Sequence, residues 1–104
     1  MSAYLIVRAQ VAPEDREAFD HWYQTEHLPD AHAAFKSLTA QRGWVEDNPS
    51  LHVAIYAFSD LAEAQRIANG SPQITELIAE FDRVWQDRVH RTREVVGVVQ
   101  SLQR

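Results

Sequence analysis

The chain alternates short runs of period-two hydrophobicity with longer stretches in which apolar residues return every three or four positions. From Tyr4 to Val11, the residues Leu5, Val7, Ala9 and Val11 alternate with Tyr4, Ile6, Arg8 and Gln10, the spacing of a β-strand. Pro13 then takes a first helical position, where its missing N–H costs nothing, and Glu14 and Asp15 complement the dipole of the helix it opens. Phe19, Trp22, Tyr23 and the pair Glu26/His27 recur at helical spacing and give this helix one aromatic face. Pro29 disfavours helical geometry at Leu28, so the helix is expected to stop or kink there, with a further short turn over 30–35. Leu38 to Val45 reads as a second strand weakened by Gly43, 46–50 as a turn cluster, and Leu51 to Phe58 as a third strand. Asp60 with Glu63 forms an acidic capping box for a short helix, Asn69-Gly70 closes it, and Ser71-Pro72 opens the next. Ile74, Leu77, Ile78, Phe81, Val84, Trp85 and Val89 predict a long amphipathic helix, and Val95 to Gln100 a last strand.

The order β-α-β-β-α-β predicts an α+β, ferredoxin-like domain spanning 1–104, with a four-stranded antiparallel sheet and its helices on one face. The fourth strand is expected beside the first, with the first and third central. The helix-free face of such a sheet should be polar if water covers it. In the third strand both rows are apolar: Leu51, Val53, Ile55 and Ala57 on one side, His52, Ala54, Tyr56 and Phe58 on the other. Each face amounts to roughly 400 Å² from strand spacing and rise, and covering it contributes on the order of 10 kcal/mol as an upper bound. A second copy packed face to face, closing the two sheets into an α+β barrel, is the simplest cover. The aliphatic rows Leu5, Val7, Ala9 and Leu51, Val53, Ile55 are expected under the helices. Tyr4, Ile6, Arg8 and His52, Ala54, Tyr56, Phe58 are then expected on the shared side, where polar atoms among aromatic rings imply a small-molecule cavity, or simple pairing of Arg8, His52 and Tyr56 with each other or with the dimer mate.

Composition narrows the partners. The 104 residues carry a net charge of −5, from 15 acidic and 10 basic side chains, which disfavours nucleic-acid backbones and anionic membrane surfaces. No cysteine is present, so disulfides, thiol nucleophiles and thiolate metal sites are excluded. No charged leader followed by an apolar core stands at the N-terminus and no apolar run reaches membrane-spanning length, so a cytoplasmic protein is expected. With three glycines and no glycine-rich loop, a nucleotide cofactor is not expected. The histidines do not fall at metal-site spacing, so neither a metal nor any other cofactor is expected.

Candidate chemistry concentrates between Asp20 and His32. Tyr23 and His27 lie four apart on one helix face with Glu26 beside them. A histidine there can move protons near neutral pH, and a helix C-terminus with a neighbouring carboxylate favours its protonated form. His27 and Glu26 are therefore candidate catalytic groups; Trp22, Tyr23, Arg8, His52 and Tyr56 are the candidate substrate-binding groups. The plainer alternative makes His27 a helix cap and Glu26 a solvated side chain.

These residues resemble the dimeric α+β barrel superfamily. Residues 22–32 (WYQTEHLPDAH), 80–85 (EFDRVW) and 91–96 (RTREVV) are similar to the small REDY-like, or HapK-like, group within it. The resemblance implies a homodimer that acts without cofactor on an aromatic, indole- or pyrrole-like secondary metabolite, by cyclisation or isomerisation, and it adds Asp30 to Glu26 and His27 as a catalytic candidate. A non-catalytic dimeric binding protein that uses the same pocket is one alternative, and a cofactor-free monooxygenase, as among some superfamily relatives, is another. The haem-degrading pattern of Asn, Trp and His found in some relatives is not matched.

Overall fold

The computed structural model describes residues 2–104. Along the chain these form β1 (Ala3–Val11), a 3-10 turn (Pro13–Asp15), α1 (Arg16–Trp22), a π-helical turn (Tyr23–His27), α2 (Leu28–Phe35), β2 (Thr39–Val45), β3 (Asn48–Phe58), α3 (Leu61–Ala68), α4 (Pro72–Trp85) and β4 (Val89–Gly97). The strands make one antiparallel sheet in the order β2-β3-β1-β4, the ferredoxin-like arrangement that the element order predicts. The capping signals act as expected. The Asp60 side chain accepts from the Glu63 N–H at 2.8 Å, and the Ser71 Oγ accepts from the Ile74 N–H at 3.2 Å.

Four local expectations are corrected. Pro29 does not end the first helix: helical backbone runs from Pro13 to Phe35. Ahead of the proline the winding loosens by one residue, and the Leu28 N–H donates to the Tyr23 carbonyl, five positions back. The widened turn takes up the ring and the donor it lacks without breaking the helix. The long helix α4 stops at Trp85, and Val89 is not its last apolar position but the first residue of β4. That strand accordingly spans Val89–Gly97, several residues ahead of the expected Val95 to Gln100. The turn between β2 and β3 is tighter than the expected cluster, with β3 already under way at Asn48.

The fourth correction concerns which side of β3 meets the helices. Leu5 pairs with Tyr56, Val7 with Ala54 and Ala9 with His52, and residues opposite one another in an antiparallel pair share a face. His52, Ala54, Tyr56 and Phe58 therefore lie under the helices and are buried, while Val53, Ile55 and Ala57 join Tyr4, Ile6 and Arg8 on the helix-free side. Both rows of this strand are apolar, so a one-residue change of parity leaves the pattern looking the same.

Above the sheet, α3 packs on β4, β1 and β3, whereas α4 leans on α2 and α3. The core is aromatic at one end, with Phe19, Trp22, Tyr23, Phe81 and Trp85 buried together. Where α4 stands off the strands, a cavity opens.

Candidate active site

The cavity holds about 290 Å³ and lies between α4, the α2 end of the first helical segment, and the helix-facing rows of β1, β3 and β4. Its walls are largely apolar, among them Leu5, Val7, Phe35, Ile74, Leu77 and Phe81. The polar groups are few: Tyr23, His27, Tyr56, Arg91, Thr92 and Arg93. An apolar pocket with a small convergent polar set is the usual form of a small-molecule site.

The π turn sets the first of these groups. It brings the His27 ring to 4.8 Å from that of Tyr23 and stacks it on Trp22, with centroids 4.6 Å apart and planes 21° from parallel. His27 is buried, and its Nδ1 has no hydrogen-bond partner among the described residues. Burial pushes its pKa down to about 4, and the Arg91 guanidinium pushes the same way. The imidazole is therefore neutral at pH 7, and with Nδ1 unpartnered nothing locks its tautomer. The expectation that a helix terminus and Glu26 would hold His27 protonated does not apply, because His27 lies inside a continuous helix and Glu26 is exposed.

Burial also pushes the Tyr23 phenol up to about 12 and Tyr56 well above the usual tyrosine range. Both stay neutral on the cavity wall, where the two hydroxyls interact with each other. Arg91 lies 3.8 Å above the Phe81 ring and reaches Asp82 at 3.3 Å. Burial draws its pKa down from the ordinary guanidinium value, with Asp82 opposing.

Behind Tyr23 sits a second cluster. His52 is 1% exposed, its ring 4.4 Å from Tyr23 and 5.0 Å from Trp44. Arg42 Nη1 lies 3.4 Å from His52 Nε2 and donates to Asp20 at 2.8 Å, and the Trp44 indole N–H donates to the same Asp20 oxygen at 2.9 Å. Those donors, Arg42 first and Trp44 next, hold the Asp20 carboxyl below its usual value. Burial, with Arg42, lowers His52 to about 4. The cluster fixes Tyr23 from behind and keeps His52 neutral.

Of the residues singled out from sequence, Tyr23, His27 and Tyr56 come together at the cavity, with Trp22 packed behind His27 and His52 behind Tyr23. Glu26 and Asp30 are exposed and are not part of its lining. Arg8 points to the helix-free face, where it pairs with Glu94. Arg91 and Arg93 were not singled out individually. The signal was present in the period-two row Val89, Arg91, Arg93, Val95, hidden by the expectation that helix continued to Val89.

Among solved structures, an EthD family protein from Bacillus halodurans aligns over 95% of this chain and all of its own, at 16% identity and a TM-score of 0.71. An antibiotic biosynthesis monooxygenase aligns over 94% of this chain and 99% of its own, at 17% identity and a TM-score of 0.65. The fold is that of the antibiotic biosynthesis monooxygenases. SnoaB, a cofactor-independent oxygenase from Streptomyces nogalater, has it too, at 17% identity and a TM-score of 0.62 over 99% of this chain and 98% of its own. No family model matches the chain, and neither does any curated protein. Likeness at this identity fixes the backbone and leaves the chemistry to the site. Among the described residues no helix is long and apolar enough to cross a membrane.

Proposed function

We propose that this protein is a cofactor-free tailoring enzyme that starts its reaction by taking a proton from a small aromatic substrate, with His27 as the base. One observation carries the reading: a neutral, buried imidazole, sealed on its Nδ1 side, lines an apolar cavity beside a guanidinium. A neutral imidazole accepts a proton, and Arg91 offsets negative charge as it forms on the substrate. A substrate anion beside Arg91 also cancels part of the field that keeps His27 weakly basic. The hydroxyls of Tyr23 and Tyr56 orient the substrate through hydrogen bonds. Glu26 and Asp30, the other candidates from sequence, would need substrate to extend beyond the cavity.

Returning the proton at a different atom gives isomerisation or cyclisation, the outcome that the likeness to the REDY-like group favours. A second reading routes the same substrate anion to dioxygen: the carbanion adds O₂, the peroxide takes up a proton, and loss of water leaves a carbonyl. The backbone shared with a cofactor-independent oxygenase favours this branch. We place either reaction in a homodimer, with the helix-free sheet faces packed together.

The test is turnover of hydroxylated aromatic, indole and pyrrole compounds, followed by product analysis and an oxygen electrode. His27→Ala is expected to lose roughly 10²–10⁴ in rate, the usual contribution of a positioned proton-transfer group. Undiminished turnover in this variant sinks the proposal, and oxygen uptake separates the two branches.

A further inference from the structure

The charge lining the cavity is opposite to that of the chain as a whole. The protein carries −5, yet its cavity wall contains no Asp or Glu and two arginines. Both come from the helix-facing row of β4, where Arg91 lies opposite Ala9 and Arg93 opposite Val7. Two residues along a strand separate them by about 7 Å. Arg91 is already engaged, by Asp82 and the face of Phe81. Arg93 has no carboxylate within ion-pair distance among the described residues. A guanidinium beside apolar walls and without a counter-ion is a standing attraction for an anion.

Resting on the reading of this cavity as the substrate site, we propose that the substrate is an aromatic carboxylic acid whose carboxylate is anchored by Arg93 at the cavity mouth. The planar guanidinium fork matches a carboxylate through two parallel hydrogen bonds. A phosphate, as a dianion, is served by several converging donors such as a helix N-terminus or a nest of backbone N–H groups, and Arg93 alone at the mouth does not provide them. The cavity volume of about 290 Å³ stands at the lower limit of roughly 300 Å³ for small-molecule pockets, which suits a one- or two-ring acid. With the carboxylate on Arg93, the ring enters between Leu5 and Val7 below and Ile74 and Leu77 above, toward Tyr56 and His27. Arg93 then sets specificity and orientation, and the reacting atoms stay with His27 and Arg91.

Isothermal titration calorimetry with indole-3-carboxylic acid and indole-3-carboxamide separates charge recognition from turnover, since the two ligands share shape. The acid is expected to bind at least about tenfold more tightly than the amide, the scale of one charge-assisted bidentate contact. That preference should shrink with added salt, vanish in Arg93→Gln and persist in His27→Ala. Arg93 is exposed, so its substitution leaves the core intact, which circular dichroism checks. Equal affinity for acid and amide, an unchanged preference in Arg93→Gln, or no binding of either ligand overturns the inference. So does tighter binding of indoxyl phosphate than of the acid. Acid preference together with His27-independent turnover sinks the base reading alone; equal affinities with His27-dependent turnover sink this inference alone.

Discussion

Two imidazoles share one aromatic cluster, His27 against Trp22, Tyr23 and Phe81, His52 against Phe19, Tyr23 and Trp44. Both are lowered to about 4 by burial, seconded by Arg91 for His27 and Arg42 for His52, with Asp20 opposing at His52. In the unfolded chain a histidine titrates near 6.5, about its unperturbed value. Between these values the unfolded state binds the extra proton, so stability is complete above about pH 6.5 and is lost as the pH falls toward 4. Each histidine should cost on the order of 2 kcal/mol between pH 7 and pH 5. Urea midpoints measured across that range should fall, and His27→Gln should flatten the slope. A pH-independent midpoint contradicts the assignment. Asp20, depressed by its Arg42 and Trp44 hydrogen bonds, acts in a separate, more acidic window, where stability falls as that carboxylate is protonated.

Element boundaries show where local rules yield to tertiary ones. At the end of α4, Gln86 adopts φ 54° and ψ −129°, a conformation that suits glycine. It turns the chain sharply from Trp85, buried under α1, into β4. Gln86→Gly should therefore stabilise the fold by about 1 kcal/mol, raising the thermal midpoint by several degrees. A lowered midpoint would mean that the glutamine side chain contributes more than its backbone strain costs. Nothing in the local sequence marks this junction: helical periodicity passes through Val89, and Gln86 carries no turn signal. The π turn is similarly hidden. Pro29 announces a disturbance, but whether a proline breaks, kinks or is absorbed depends on what packs around it. Here Phe19, Tyr23 and His27 on one side and Ala31 and Phe35 on the other remain in a single buried layer, which favours continuity.

On the scale of the whole molecule, the helix-free face is the outstanding feature. Ile6, Val53, Ile55 and Ala57 lie there in one partly exposed patch, with Tyr4 beside them and Arg8 paired to Glu94. A second copy packed on this patch would cover it, with Thr39 and Gln41 on β2 and Thr92 and Glu94 on β4 flanking it as a polar rim. Sedimentation velocity is expected to show a dimer. Ile55→Lys should leave far-ultraviolet circular dichroism unchanged and shift the equilibrium to monomer, because a lysine buried in the shared apolar face is desolvated without a partner. A wild-type monomer at micromolar concentration removes the proposed assembly without touching the cavity, whose lining comes from one chain.

Periodicity, capping residues and element order determined the four-stranded ferredoxin-like sheet, because these signals are local and each agrees with the others. They also picked out Tyr23, His27 and Tyr56, since aromatic and titratable side chains stand out against an aliphatic pattern. Tertiary structure decided the rest. The side of β3 that meets the helices depends on register with β1, which a strand apolar on both rows does not encode. The neutral state of His27 depends on burial against Phe81 and on the charge of Arg91, groups from distant parts of the chain. The arginines of the cavity depend on tertiary structure too: β4 begins at Val89, which sets Arg91 and Arg93 on its helix-facing row, under the space that α4 leaves open.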